Sequence, residues 1–150
     1  MSIHTNIKEE VKKAMLARDV LRTGVMRSIS AAFTNELVTK GRKPQEELQD
    51  DEALIVIKRL VKQRKDSIEQ FTKGGRQDLV DQEQAELGVL QTLLPPQLSR
   101  EAIEKVAVIK KTELNISDKA KMGILIGAIS KELKGQADGA EIKSVVESLF

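Results

Sequence analysis

The stretch Leu93-Leu94-Pro95-Pro96-Gln97-Leu98 (LLPPQL) decides how this chain is organised. Two consecutive prolines lack backbone N–H donors and clash with a preceding helical turn, so a helix arriving at Leu94 ends there. Upstream, Asp78 to Leu94 reads as one helix, with Gly74 and Gly75 as the break before it. "EALIVIKRLVKQRKDSIEQFTK" is a longer helix, preceded by the polar, proline-bearing linker "GRKPQEELQDD", in which Asp50 or Asp51 is placed to cap it. Further back, Leu21, Val25, Ile29, Phe33 and Leu37 mark a helix capped by Asp19 and stopped at Gly41. Ile3, Ile7, Val11 and Met15 recur every fourth residue and mark the first helix. Four helices therefore precede the prolines.

The elements become shorter after them. Ser99 caps a helix carrying Ile103, Val106 and Ala107. Ser117 or Asp118 caps the next, with Met122, Leu125, Ile126, Ile129 and Leu133, and Gly135 closes it. Asp138 with Glu141 three residues later forms a capping box ahead of Ile142, Val145, Val146 and Leu149. Helical periodicity dominates and strand alternation is almost absent. The expected fold is all-α: an N-terminal four-helix part over residues 1–96, then a small three-helix module over 97–150.

Composition narrows the chemistry. The 150 residues are 40% hydrophobic and 32% charged, with a formal net charge of only +2, so any nucleic-acid face must be local. The chain has no cysteine, which removes disulfides, thiolate nucleophiles and zinc–sulfur sites. One histidine, His4, cannot build an imidazole metal site and reads as an exposed bystander near the N-terminus. No cofactor or metal is expected, and no nucleophile–base pair is apparent. The acidic run Glu46, Glu47, Asp50, Asp51, Glu52 reads as a solvated linker and helix start. "MSIHTNIKEEVKKAM" lacks an apolar signal core and its acids argue against a transit peptide, so the expected location is the cytosol.

Some charges sit on apolar faces. At about 100° per residue, Arg64 falls in the middle of the face formed by Ile57, Leu60, Val61, Ile68 and Phe71. Glu83 falls within that of Leu79, Val80, Leu87, Leu90 and Leu94. Around the Gly74-Gly75 turn the two arrive at similar heights, which predicts a buried Arg64–Glu83 pair. Arg22 and Glu36 intrude similarly on the second helix, and all four read as structural charges. Lys58, Arg59, Lys62, Lys65 and Lys73, with Arg76 past the turn, make the most basic window in the chain. With neither Tyr nor Trp there is no stacking platform for single-stranded bases, so RNA bound here would be met through backbone and shape.

A second glycine-rich stretch, Lys121 to Gly139 ("KMGILIGAISKELKGQADG"), carries Lys121, Lys131 and Lys134, with Lys119 just ahead of it. Its apolar run is far shorter than the roughly 20 residues needed to span a bilayer, so no membrane role is expected. Gly123 and Gly127 share a helix face and are read as permitting close approach of a neighbouring helix. Gly135 reads as a C-cap, and Gly139, behind the Asp138 cap, as an amide that an anion can reach.

"VKQRKDSIEQF", "GRQDLV", "AELGVLQTLLPPQLS", "KMG" and "LKGQADG" stand in the order and spacing of the GatB/YqeY family, which the chain resembles over nearly its whole length. It is similar to free-standing members, related to the tail domain of the B subunit of glutamine-dependent aspartyl/glutamyl-tRNA amidotransferase. The resemblance implies two helical modules and a role in binding tRNA or a tRNA-processing enzyme. It also carries the label of carbon–nitrogen ligase with glutamine as amide donor, for which this sequence supplies no catalytic centre; an accessory role is the expectation. The family's lysine and methionine in a "GKVMG" segment are Ile124 and Ile126 here. Carried over by position, the matching candidates of this segment are Gly123, Gly135, Asp138 and Gly139, with Lys121, Lys131 and Lys134 as nearby phosphate contacts. The other reading is a protein-interaction module with no RNA role.

Overall fold

A computed structural model of the chain describes residues 1–133 and 135–150. Among these residues there are seven α-helices and no strand: α1 (Ile3–Leu16), α2 (Val20–Thr39), α3 (Asp50–Lys73), α4 (Gln77–Gln91), α5 (Arg100–Glu113), α6 (Met122–Glu132) and α7 (Gly139–Ser148). They form two compact units, Met1–Leu94 and Pro95–Phe150.

The first unit is built from α1 to α4. Helix α3 packs chiefly on α4 and α1 on α2, with α2 also meeting both α3 and α4. Its core gathers Ile7, Met26, Ile29, Phe33, Leu37, Leu48 and Ile57, each at most 1% exposed. Full burial of such a side chain contributes about 1.5–3 kcal/mol, and most of the unit's cohesion comes from these residues. Helix α3 ends as its glycines require, with Gly74 as C-cap and Gly75 at φ 69°, a left-handed conformation that an L side chain rarely adopts.

Helix α1 presents a face rotated from the expected one. Ile7 and Ala14 are buried, whereas Met15 is 50% exposed. Residues four apart drift about 40° around a helix, so a strict fourfold repeat walks off the core, while the 4-7-11-14 spacing stays on it. That spacing includes His4, which is not exposed at all: it is 3% accessible and packs against Phe33 with ring centroids 5.1 Å apart. Its Nδ1 accepts the backbone N–H of Leu48 at 3.0 Å.

The segment between α2 and α3 is a strap, which corrects its reading as a solvated linker. Thr5 Oγ1 donates to Glu47 at 2.7 Å, Ser2 Oγ donates to the other Glu47 oxygen at 3.3 Å, and the Ile3 N–H donates to Asp50 at 2.9 Å. Leu48 inserts its side chain into the core. The N-cap of α3 is Gln49 and not Asp50 or Asp51, and the Glu52 carboxylate accepts the Gln49 N–H at 3.0 Å. Glu52 also holds Lys40 at 2.6 Å and Arg42 at 3.0 Å. These bonds, led by that to Lys40, lower its pKa from the ordinary 4.5 to about 2.

The second unit closes over Ile103, Ala107, Leu125, Ile129, Ile142, Val145 and Val146. Ser99 caps α5 through its hydroxyl, and Asp118 caps a short 3₁₀ turn, Lys119–Lys121, that leads into α6. Asp138 caps α7, but Glu141 turns to Arg100 at 3.3 Å, so the expected capping box is only half made. Gly123 and Gly127 are exposed, and a Cβ built on either meets nothing within 4 Å. Among the described residues no helix packs against that space, which overturns the close-packing reading of the pair.

Candidate nucleic-acid interface

The basic window of α3 resolves into paired and unpaired cations. Ala53, Val56, Ile57 and Val61 turn into the core, and Lys58, Lys62 and Lys65 follow one another at i, i+4 and i+7 roughly a third of a turn away. Lys62 and Lys65 are exposed and have no ion-pair partner among the described residues. Arg59, half exposed, holds Glu36 of α2 at 3.1 Å. Arg76 grips Asp78 through Nε and Nη2 at 3.2 and 3.0 Å. This contact raises the arginine's pKa and lowers that of the aspartate. Lys73 pairs with Glu69 at 3.1 Å. The middle of the stripe therefore carries cations held in no ion pair, interrupted by the exposed Asp66, while Arg59, Lys73 and Arg76 are each paired with a carboxylate.

Beneath this face lies the charge cluster of α3 and α4. Arg64 Nη1 stands 2.9 Å from Glu83 Oε2 and 2.6 Å from Glu86 Oε2. The arginine side chain is 27% exposed and the two glutamates 16% and 18%, so one cation serves two largely covered carboxylates. Arg22 and Glu36 do not meet each other. Arg22 reaches Glu10 of α1 at 2.7 Å, which lowers the glutamate's pKa, and Glu36 is taken by Arg59.

In the second unit, Lys121 ends the 3₁₀ turn and Lys131 lies in the last turn of α6, both exposed. Lys134 lies outside the described residues. Gly135 has φ 73°, and its carbonyl accepts the Gln97 side-chain amide at 2.7 Å. Gly139 is the exposed first residue of α7, with its N-terminus already occupied by the Asp138 carboxylate, which accepts the Ala140 N–H at 3.3 Å. A carboxylate at that position competes with any incoming phosphate for the same positive helix end.

One shallow depression lies elsewhere, where α1 turns into α2, lined by Met15, Arg18, Val20, Thr23, Gly24 and Arg27. It contains neither a carboxylate nor an imidazole. Among the described residues no group of three or more His, Cys, Asp or Glu side chains is placed to hold a metal ion, and no helix is long and apolar enough to cross a membrane.

These features define an all-helical chain of two compact units whose surface offers cations and apolar side chains. The chain belongs to the YqeY-like protein family, whose model matches residues 4–150. It is 36% identical over 151 residues to altered inheritance of mitochondria protein 41, mitochondrial, of Kluyveromyces lactis, an alignment covering 96% of this chain and 80% of that one. The proteins of the same name from Lachancea thermotolerans and Eremothecium gossypii are 37% and 35% identical over 59% of this chain. Those alignments span 46% and 47% of the relatives, about half their length. The relatives carry mitochondrial names, which overturns the cytosolic expectation. That expectation rested on the first residues, and a targeting signal is a separate address read apart from the fold.

Proposed function

We propose that the chain is a non-catalytic module that binds folded tRNA through the outer face of α3. The observation that carries this reading is the exposed pair Lys62 and Lys65, held in no ion pair among the described residues and in line with Lys58 on a rigid helix. Lysines spaced by one and two helical turns suit the phosphates of a folded RNA backbone, and the chain has neither Tyr nor Trp for base stacking. Arg59 and Arg76 flank them, each exchanging a carboxylate for a phosphate on binding. Lys121 and Lys131 are exposed cations of the second unit and are candidates in their own right. The family resemblance to the tail domain of a tRNA amidotransferase subunit supports tRNA as the ligand class, with any amide transfer carried out by a partner enzyme. Ultraviolet crosslinking of the full chain to folded tRNA, with the adducts mapped on peptides, tests it. Adducts on the Lys58–Arg76 peptides are expected, and adducts confined to other helices exclude this face.

A further inference from the structure

Helix α2 carries only three charged residues, Arg22, Arg27 and Glu36, in twenty positions. Its other polar positions are the uncharged Thr23, Ser28, Ser30, Thr34, Asn35 and Thr39, and its first two residues are apolar. Here Val25, Met26, Ile29, Phe33 and Leu37 are buried, but Val20 is 85% exposed, and next to it Leu16 of the α1 end is 86% exposed. Val20, Thr23, Gly24 and Arg27 fall at i, i+3, i+4 and i+7 and line one side of the depression, with Met15 and Arg18 opposite. A Cβ at Gly24 would meet nothing within 4 Å, so the fold itself does not require glycine there.

Arg18 adds an independent sign. Its φ is 56°, a conformation taken at the other such positions among the described residues by Gly41, Gly75, Gly135 or Asn115. An arginine stands at a strained position although its side chain makes no ion pair among those residues. Among the described residues Arg27 makes one side-chain hydrogen bond, to the Met15 sulfur at 3.4 Å. The nearby acids are already committed: Glu9 to Lys12, Glu10 to Lys13 and Arg22, and the Asp19 side chain to the Arg22 N–H.

We infer that this corner is a docking surface for an acidic amphipathic helix of a partner protein, with Leu16, Val20 and Met15 receiving the apolar ridge and Arg18 and Arg27 pairing with its flanking carboxylates. The inference goes beyond tRNA binding by α3 and stands apart from it. Charge complementarity selects the occupant. A second copy docked on itself brings like charges together, and a nucleic acid leaves Leu16 and Val20 in water.

The test titrates the isotope-labelled full chain, followed by its backbone amide resonances, with a synthetic helical peptide. The peptide bears leucines at i, i+3, i+4 and i+7 flanked by glutamates. Saturable shifts confined to Leu16 through Arg27 are expected, with a lysine-flanked twin binding at least about tenfold more weakly. Leu16→Asp lowers affinity by about tenfold or more without changing the melting temperature. Arg18→Gly raises the melting temperature and weakens the peptide together, a combination that a purely structural arginine does not give. No shifts, shifts elsewhere, or equal affinity for the twin overturn the inference. Saturable shifts of the same amides by folded tRNA or by phosphatidylglycerol vesicles also overturn it, because they assign the face to another ligand. Shifts by tRNA on α3 bear only on the α3 reading.

Discussion

The backbone N–H of Leu48 donates to the Nδ1 of a buried His4, 3.0 Å away and 44 residues earlier in the chain. An accepting Nδ1 carries no proton, so the imidazole is neutral with its hydrogen on Nε2. Burial is the main reason its pKa lies below the ordinary 6.5; Lys8 and Arg42 push in the same direction and Glu47 opposes them. Protonation turns Nδ1 into a donor facing a donor and breaks one of the bonds that hold the strap to α1.

The unfolded chain therefore binds this proton more readily than the folded one, and stability falls as pH drops below about 6.5 through the folded value. Denaturant unfolding at about pH 7 and about pH 5 should show the loss. His4→Asn retains an oxygen acceptor and removes the pH dependence; His4→Phe leaves the Leu48 N–H buried and unpaired, costing about 1–3 kcal/mol at neutral pH. Equal pH dependence in the wild type and His4→Asn would contradict this account.

Glu52 sets a second pH limit. With its pKa lowered from 4.5 to about 2, its contribution is complete above about pH 4.5 and disappears as pH falls toward about 2. The bond from Thr5 lowers the pKa of Glu47 and that from Arg22 lowers Glu10, so all three act in the same direction. Helix content followed during acid titration should fall in this window for the wild type, and less steeply for Glu52→Gln, which keeps an acceptor for the Gln49 N–H.

Arg64 serves Glu83 and Glu86 together, so the three substitutions are unequal. Arg64→Met leaves two carboxylates facing each other and should cost about 3 kcal/mol. Glu83→Leu leaves Glu86 in place and should cost clearly less. In a double-mutant cycle, Glu83→Leu becomes nearly neutral or stabilising once Arg64→Met is present. Additive losses would remove the cluster from the account.

Gly123→Ala and Gly127→Ala should each stabilise the second unit by about 0.5–1 kcal/mol, since both lie exposed inside α6 with open space at the Cβ. A loss in thermal melts would show that a partner helix does come close.

The helices were legible because the residues that bound them are local: the Gly74-Gly75 pair and the capping side chains of Asp19, Ser99 and Asp138 act within a few positions, although α4 stops at Gln91, three residues before the Leu94 that the prolines marked. The pairing of Arg64 was legible because periodicity exposed a charge on an apolar face. The strap was not, since the partners of Glu47, Asp50 and His4 lie more than forty residues away and no local pattern announces them. The signal for His4 was its register with Ile7, Val11 and Ala14, hidden by the simpler fourfold repeat of Ile3 and Met15. In the basic window, composition showed where cations gather, but only geometry separates Lys62 and Lys65 from arginines already holding carboxylates.

The most direct test of tRNA binding by α3 is the affinity of the full chain for folded tRNA as a function of salt. Log affinity should fall linearly with log salt at about 0.7–0.9 per phosphate contact. Lys62→Gln with Lys65→Gln should weaken binding at low salt and reduce that slope by about 1.5, leaving the fold unchanged. An unchanged slope and affinity in the double variant, or no binding by the wild type at low salt, would contradict the proposed function.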